Sequence, residues 1–273
     1  MTADHGRRFW DSYWTGQGST LTARTMTQVL DRIKLEYLRA ILPASGRTLE
    51  VGSGSARLSC LLSMAGYHTT CLDYSREALR AAKVNYTQAA VGGWFVVGEG
   101  SRLPVPDGSF DVVLSTGLLE HFPDPSPIVR EMVRVLKPGG LFYSDIVPRK
   151  FSLFRSLDWI GRFKRSLMSR DDSPNTFYER AFTTKEILDL LTESGLSGAQ
   201  VFPAGVVPPY LPLLSRSTLL RVAQVCLVER TRHLWKRCDG TRLAEWLGFY
   251  YFAWATKHES WSSPKPLVGS THV

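Results

Sequence analysis

The chain has 273 residues, 44% of them apolar and 21% charged, which is ordinary for a globular protein able to bury a sizeable core. Four scattered cysteines with no C-x-x-C pair argue against a zinc site or a disulfide framework, and no metal site is expected. The formal charge of +8 resides in two segments: residues 149–182 hold eight Lys/Arg against four acids, and residues 203–246 hold seven against three.

The N-terminal FWDSYWTG (9–16) places Trp10, Tyr13 and Trp14 ahead of the first predicted helix, over 27–41, where apolar residues recur at helical spacing until Pro43. RTLEVG (47–52) reads as a first strand and ARLSCLLSMAG as a helix ended by Gly66. HTTCLDYS follows as the second strand, then the helix REALRAAKVNYTQAA. GWFVVGE and SFDVVLSTG are the third and fourth strands. PSPIVREMVRVLK is a helix stopped by Pro138-Gly139-Gly140, and LFYSDIV is the fifth strand. FTTKEILDLLTESG opens with capping threonines and ends on Gly195. GAQVFPA is the sixth strand, and the aromatic-rich FYYFAWATK the last, paired with the sixth. Alternating strands and helices predict an α/β fold with a mostly parallel sheet. The reading is one domain over 1–258, with the basic segments as insertions and a flexible tail at 259–273. The first residues lack an apolar core of signal-peptide length, and no apolar run is long enough to span a bilayer, so a cytoplasmic protein is expected.

The loop VGSGS after the first strand is a cradle for a ligand at a helix N-terminus, because Gly52 and Gly54 let it approach the backbone. Nucleotides, NAD, FAD and S-adenosylmethionine (SAM) all use such loops. Glu50 narrows the choice, since an acid there repels a pyrophosphate and suits a cation. Asp73, about 20 residues on at the end of the second strand, is placed to accept hydrogen bonds from ribose hydroxyls.

ExGxG at 50–54, Asp73, GEGSRLPVPDGSFD (98–111), LLEHFPDP (118–125) and VLKPGG (135–140) stand in order at spacings that resemble class I SAM-dependent methyltransferases. The resemblance is to the large family that includes the ubiquinone/menaquinone methyltransferases, and it covers roughly residues 35–200. It implies a Rossmann-like, doubly wound, seven-stranded sheet with an antiparallel last strand, carrying helical lid insertions. It implies SAM as cofactor, with Glu50, Gly52 and Gly54 beside the methionine part, Asp73 on the ribose and Tyr74 flanking the adenine. Glu99 stands where an aspartate is usual, with Gly100 beside it near the adenine amino group, and Thr116 completes the expected cofactor wall. Ala56 departs from the pattern by replacing a frequent third glycine.

An acceptor is expected over the ends of strands four and five, where open α/β sheets bind ligands. His121 and Asp145 are the candidate bases or acceptor-positioning groups; His121 alone has an unperturbed pKa near neutrality, though it can equally brace its loop. Trp10, Tyr13, Trp14 and Tyr143 are the candidate substrate-binding aromatics. VVPPY (206–210) is similar to the (N/D)PPY motif of amide and base N-methyltransferases, but it lacks the Asn/Asp and follows the sixth strand, so it reads as a rigid loop.

LFRSLDWIGRFKRSLMSR (153–170) is a basic amphipathic pattern that suits a packed lid, peripheral membrane contact or an anionic acceptor. STLLRVAQVCLVERTRHLWKRC (217–238) reads as a longer helix of the same type, and together the two are expected to roof a largely apolar pocket. No nucleic-acid-binding module is recognisable, so the expected partner is a small-molecule acceptor, with the protein a monomer or homodimer. The function expected is methyl transfer to an oxygen or carbon of a small lipophilic or aromatic compound. The alternatives are a non-catalytic SAM-fold binding or assembly protein, or a methyltransferase for an anionic or membrane-associated acceptor.

Overall fold

A computed structural model of the chain describes residues 3–16, 21, 25–146, 180–207 and 217–258. The basic helix expected over 153–170, most of the first insertion and the 259–273 tail lie outside the described residues. So do the last three residues of VVPPY.

Seven strands form one sheet in the order β3-β2-β1-β4-β5-β7-β6. They are β1 (Arg47–Val51), β2 (His68–Asp73), β3 (Trp94–Val97), β4 (Phe110–Thr116), β5 (Leu136–Ile146), β6 (Leu196–Ala204) and β7 (Tyr250–Lys257). The first five run parallel, and β7 is antiparallel to both β5 and β6. Helices cover both faces, so β1 and β4 are buried along nearly their whole length, polar residues included. On one face α5 (Ser126–Val135) and α6 (Thr184–Glu193) pack over Leu49, Val113 and Phe142. On the other, α2 (Met26–Ile41), α3 (Arg57–Met64) and α7 (Thr218–Trp235) pack over Val112, Leu114 and Tyr143. α4 (Arg76–Gln88) lies beside α3 and buries Leu79, Ala82 and Tyr86 against Cys60 and Cys71. Each fully buried Leu or Phe contributes roughly 1.5–3 kcal/mol by leaving water.

Local signals act as read. Thr183 caps α6 in a reciprocal box with Glu186, satisfying two backbone donors. One boundary moves: α5 ends at Val135, and Leu136 already belongs to β5, so the Pro138-Gly139-Gly140 turn lies within the bounds of that strand. One helix was not anticipated. Residues Ala3–Trp14 form α1, placed ahead of the sheet and packed against α4. The short α8 (Arg242–Leu247) completes the described elements. No helix among the described residues is long and apolar enough to cross a membrane.

Candidate functional site

The C-terminal ends of β1, β2 and β4 open onto a cavity of about 720 Å³. Its base is the loop from β1 to α3. Gly52 and Gly54 have φ of +66° and +53°, a left-handed backbone that glycine adopts without strain. A Cβ at Gly52 would sit 2.5 Å from Leu118 Cδ1, and one at Gly54 would sit 2.7 Å from Trp14 Cζ2. Both glycines therefore let neighbours close onto the loop. Ala56 shares the left-handed conformation at φ +50°, so this position keeps the backbone of a third glycine although its residue has changed. The strain, roughly 1–2 kcal/mol, is opposed by burial of its methyl group beside Cys60.

Two acids organise the loop. Asp73 Oδ2 accepts from the Gly54 amide at 2.8 Å, and its Oδ1 accepts from the Ser75 amide at 2.9 Å. Burial raises its pKa, and these amide bonds oppose the rise. Glu50 is almost wholly buried, and burial pushes its pKa up to about 7. Ser59 N–H at 3.2 Å and Thr116 Oγ1 at 3.0 Å donate to it and oppose that shift. Its carboxyl stands at the cavity wall, where it can receive a cation.

The residues expected to hold a cofactor come together: Glu50, Gly52, Gly54, Asp73, Tyr74, Glu99, Gly100 and Thr116 all line the cavity. Of the expected acceptor residues, Trp10, Trp14 and His121 line it too. Gly6, Trp10 and Trp14 recur every four residues, so they share one face of α1 and that face closes the cavity. The Trp10 ring meets the His121 ring edge-on, with centroids 5.2 Å apart. α1 is fastened from outside by Ser75 Oγ donating to Asp11 at 2.6 Å and by the Arg7–Glu99 ion pair at 3.8 Å.

Three expected residues are elsewhere. Tyr13 projects from the other side of α1 and is 52% exposed. Tyr143 is fully buried in the core between β5 and α2, beside Phe252. Asp145 is also 0% exposed and does not line the cavity. It receives Lys34 Nζ at 2.6 Å and the Gly117 amide at 2.7 Å, so its carboxylate is spent on holding α2 and the β4 turn. β5 is paired on both edges and covered on both faces, which closes the end of the strand where an opening was expected.

The described part of the second insertion, 203–207 and 217–246, does not roof the cavity. No described residue from 217 to 258 lines the cavity. α7 instead lies along α2, with Val225 and Val228 buried there and Arg32 donating to Glu229 at 2.5 Å. Of the first insertion, the described end is Arg180, whose amide donates to Glu120 O at 2.7 Å and whose Nη1 donates to Pro123 O at 3.0 Å.

Sequence reasoning missed Asp31 and Arg57, which also line the cavity and pair through Arg57 Nε and Asp31 Oδ2 at 2.6 Å. It missed Lys34 as well, although a lysine inside the apolar stripe Leu30, Ile33, Tyr37, Leu38 was a visible signal.

The cavity offers a glycine cradle, a buried carboxyl on β1 and a second acid at the end of β2, a set that fits SAM. The fold is the Rossmann-like one of solved SAM-dependent methyltransferases. Residues 49–144 match the family model described as a methyltransferase domain. Among curated proteins, the ubiquinone biosynthesis O-methyltransferase of Xanthomonas axonopodis pv. citri is 36% identical over 129 residues, covering 45% of this chain and 54% of that protein. The chain thus spans about half the length of the curated relatives it matches. A solved SAM-dependent methyltransferase from Thermotoga maritima superposes with a TM-score of 0.55 at 21% identity, covering 84% of this chain and 90% of that one. The [4+2]-cyclase SpnF superposes with a TM-score of 0.58 at 16% identity, covering 94% and 96%.

Proposed function

We propose that the protein transfers a methyl group from SAM to a hydroxyl oxygen of a small lipophilic or aromatic acceptor. The observation that carries this is the polarity of the cavity at the ends of β1, β2 and β4. Glu50, Asp73 and Glu99 line it together with the glycine loop, while Trp10, Trp14, Leu118, Phe122 and His121 supply apolar and aromatic wall. The similarity to the ubiquinone biosynthesis O-methyltransferases supports oxygen as the atom methylated. When bound, SAM would supply an electrophilic methyl group on a sulfonium.

The chain's own residues then have separable tasks. Glu50 faces the cationic end of the donor, and Asp73 takes the ribose. The aromatic face of α1 excludes water and flattens the acceptor against the turn at 118–123. Positioning of this kind supplies much of the barrier reduction in an in-line displacement. His121 is the cavity residue suited to take the hydroxyl proton, while Asp145 is withdrawn from that task by Lys34.

The test is calorimetric titration with SAM, followed by transfer of a labelled methyl group from SAM to a panel of hydroxyaromatic compounds. Label recovered as an aryl methyl ether supports the reading. SAM binding with no transfer to any hydroxyl, amine or carbon acceptor would replace it with a non-methylating use of the fold.

A further inference from the structure

α7 presents its leucines outward. All four of them, Leu219, Leu220, Leu227 and Leu234, are between 46% and 83% exposed. The inner face meets α2 through Val225 and Val228 and through the partnered charges Glu229 and Arg232. Leu220, Leu227 and Leu234 recur every seven residues, so they form one stripe about 21 Å long. A lone exposed leucine is ordinary on a protein surface, whereas a row of them along one helix marks a contact face.

The charge around the stripe has one sign. Arg230 stands on the same side between Leu227 and Leu234, and Arg237 follows three residues after Leu234; both are exposed. The two acids between 217 and 241 are taken up elsewhere. Glu229 receives Arg32 of α2 at 2.5 Å, and Asp239 receives Arg232 at 2.6 Å and Tyr37 at 2.7 Å. Glu36, the acid of α2 nearest this turn, is paired with Arg232 and Lys236. Two copies of the face would therefore set positive charge against positive charge with no acid to receive it. Anionic headgroups over hydrocarbon match both properties, since guanidinium groups reach phosphates while leucines enter the apolar layer.

We infer that the outward face of α7 docks the protein on an anionic phospholipid bilayer. Leu220, Leu227 and Leu234 enter the membrane interface, and Arg230 and Arg237 meet the headgroups. No described residue from 217 to 258 lines the cavity, so this assignment stands apart from the reading of that site. α2, on which α7 rests, supplies Asp31 to the cavity wall, so the membrane-facing helix and the cavity share one supporting helix.

The experiment sediments the full chain with vesicles of phosphatidylcholine, with and without phosphatidylglycerol. Wild type is expected to bind the anionic vesicles about tenfold more tightly than the neutral ones, and to release them as salt rises. Replacing Leu227→Ser and Leu234→Ser together should weaken binding about tenfold or more, and Arg230→Gln with Arg237→Gln about tenfold. These four side chains are exposed, so both double variants should melt within about 2 °C of wild type, which reports that they are folded. Failure of wild type to bind the anionic vesicles would overturn the assignment. Binding retained in the leucine variant would also overturn it, by placing the contact on another part of the chain. So would light scattering that finds a wild-type dimer made monomeric by the leucine substitutions, which would give the face to a second copy.

Discussion

Trp14 occupies the space that a side chain at position 54 would need. Any Cβ there would sit 2.7 Å from Trp14 Cζ2, closer than carbon atoms pack, and the position has φ +53° besides. Gly54 is therefore a hinge point for two things at once, the approach of the ligand and the seating of α1. Gly54→Ala is expected to destabilise the fold by about 1–2 kcal/mol through its backbone and to push α1 outward. SAM affinity should drop at least tenfold. Adding Trp14→Ala relieves the collision, so the double variant should bind better than the sum of the single losses requires, a coupling that a double-mutant cycle measures directly. Strict additivity would show that the two residues do not meet.

Glu50 makes both stability and ligand affinity depend on pH, in opposite senses. Its folded pKa is about 7, above the ordinary 4.5, so the folded state holds this proton more tightly than the unfolded chain does. The stability it contributes is present below pH 4.5 and is lost as pH rises through about 7. Glu50→Gln should therefore unfold at a higher temperature than wild type at pH 8, with a gain on the order of 2 kcal/mol. A cationic donor favours the ionised form, so SAM should bind more tightly at pH 8 than at pH 6 and release protons on binding. Titrations near pH 7 in two buffers of different ionisation enthalpy read that release. The Gln variant should release none and bind SAM more weakly.

The Lys34–Asp145 pair is nearly inaccessible on both sides, and burial by itself would lower the lysine's pKa. Asp145, with Tyr250 and Asp31 behind it, outweighs burial and raises it, so the lysine stays charged. Lys34→Met or Asp145→Asn alone should cost about 3–5 kcal/mol, because each leaves a charge buried without its counterpart. The double variant should cost markedly less than the two together, as read by chemical denaturation. Near-additive losses would mean that each residue acts through other partners.

His121 can be told apart from a brace by kinetics. If it removes the acceptor proton, His121→Ala should lower kcat about 10²- to 10⁴-fold while leaving SAM affinity within about threefold. The rate should recover towards high pH as the acceptor ionises on its own. Loss of affinity without a change in the pH profile would assign His121 to supporting Trp10, which it meets edge-on.

The strands, their crossovers and the donor half of the cavity could be read from residue pattern alone, because they depend on local signals. Glycines at a strand end, an acid before them and another at the next strand end are enough. The acceptor half was less legible, since it depends on which way elements face after packing. Trp10, Tyr13 and Trp14 look alike in the chain, and only the four-residue spacing of Gly6, Trp10 and Trp14 on a helix separates the two that enter the cavity from Tyr13. Tyr143 and Asp145 stand near the end of a strand that normally opens to ligand, yet β7 pairs along their outer edge and Lys34 covers the acid. The second basic segment followed its helical pattern closely. Its destination, the outer side of α2, is held by ion pairs and a hydrogen bond between residues about 200 positions apart, which no local window contains.

Arg180 gives the molecule a division of labour. It hangs the returning chain on Glu120 and Pro123, flanking the turn that carries His121, while the glycine loop is secured separately through Asp73, Ser75 and Asn85. α1 bears on both, through Trp10 at His121 and Trp14 at Gly54, so a change in that helix is felt at both ends of the cavity.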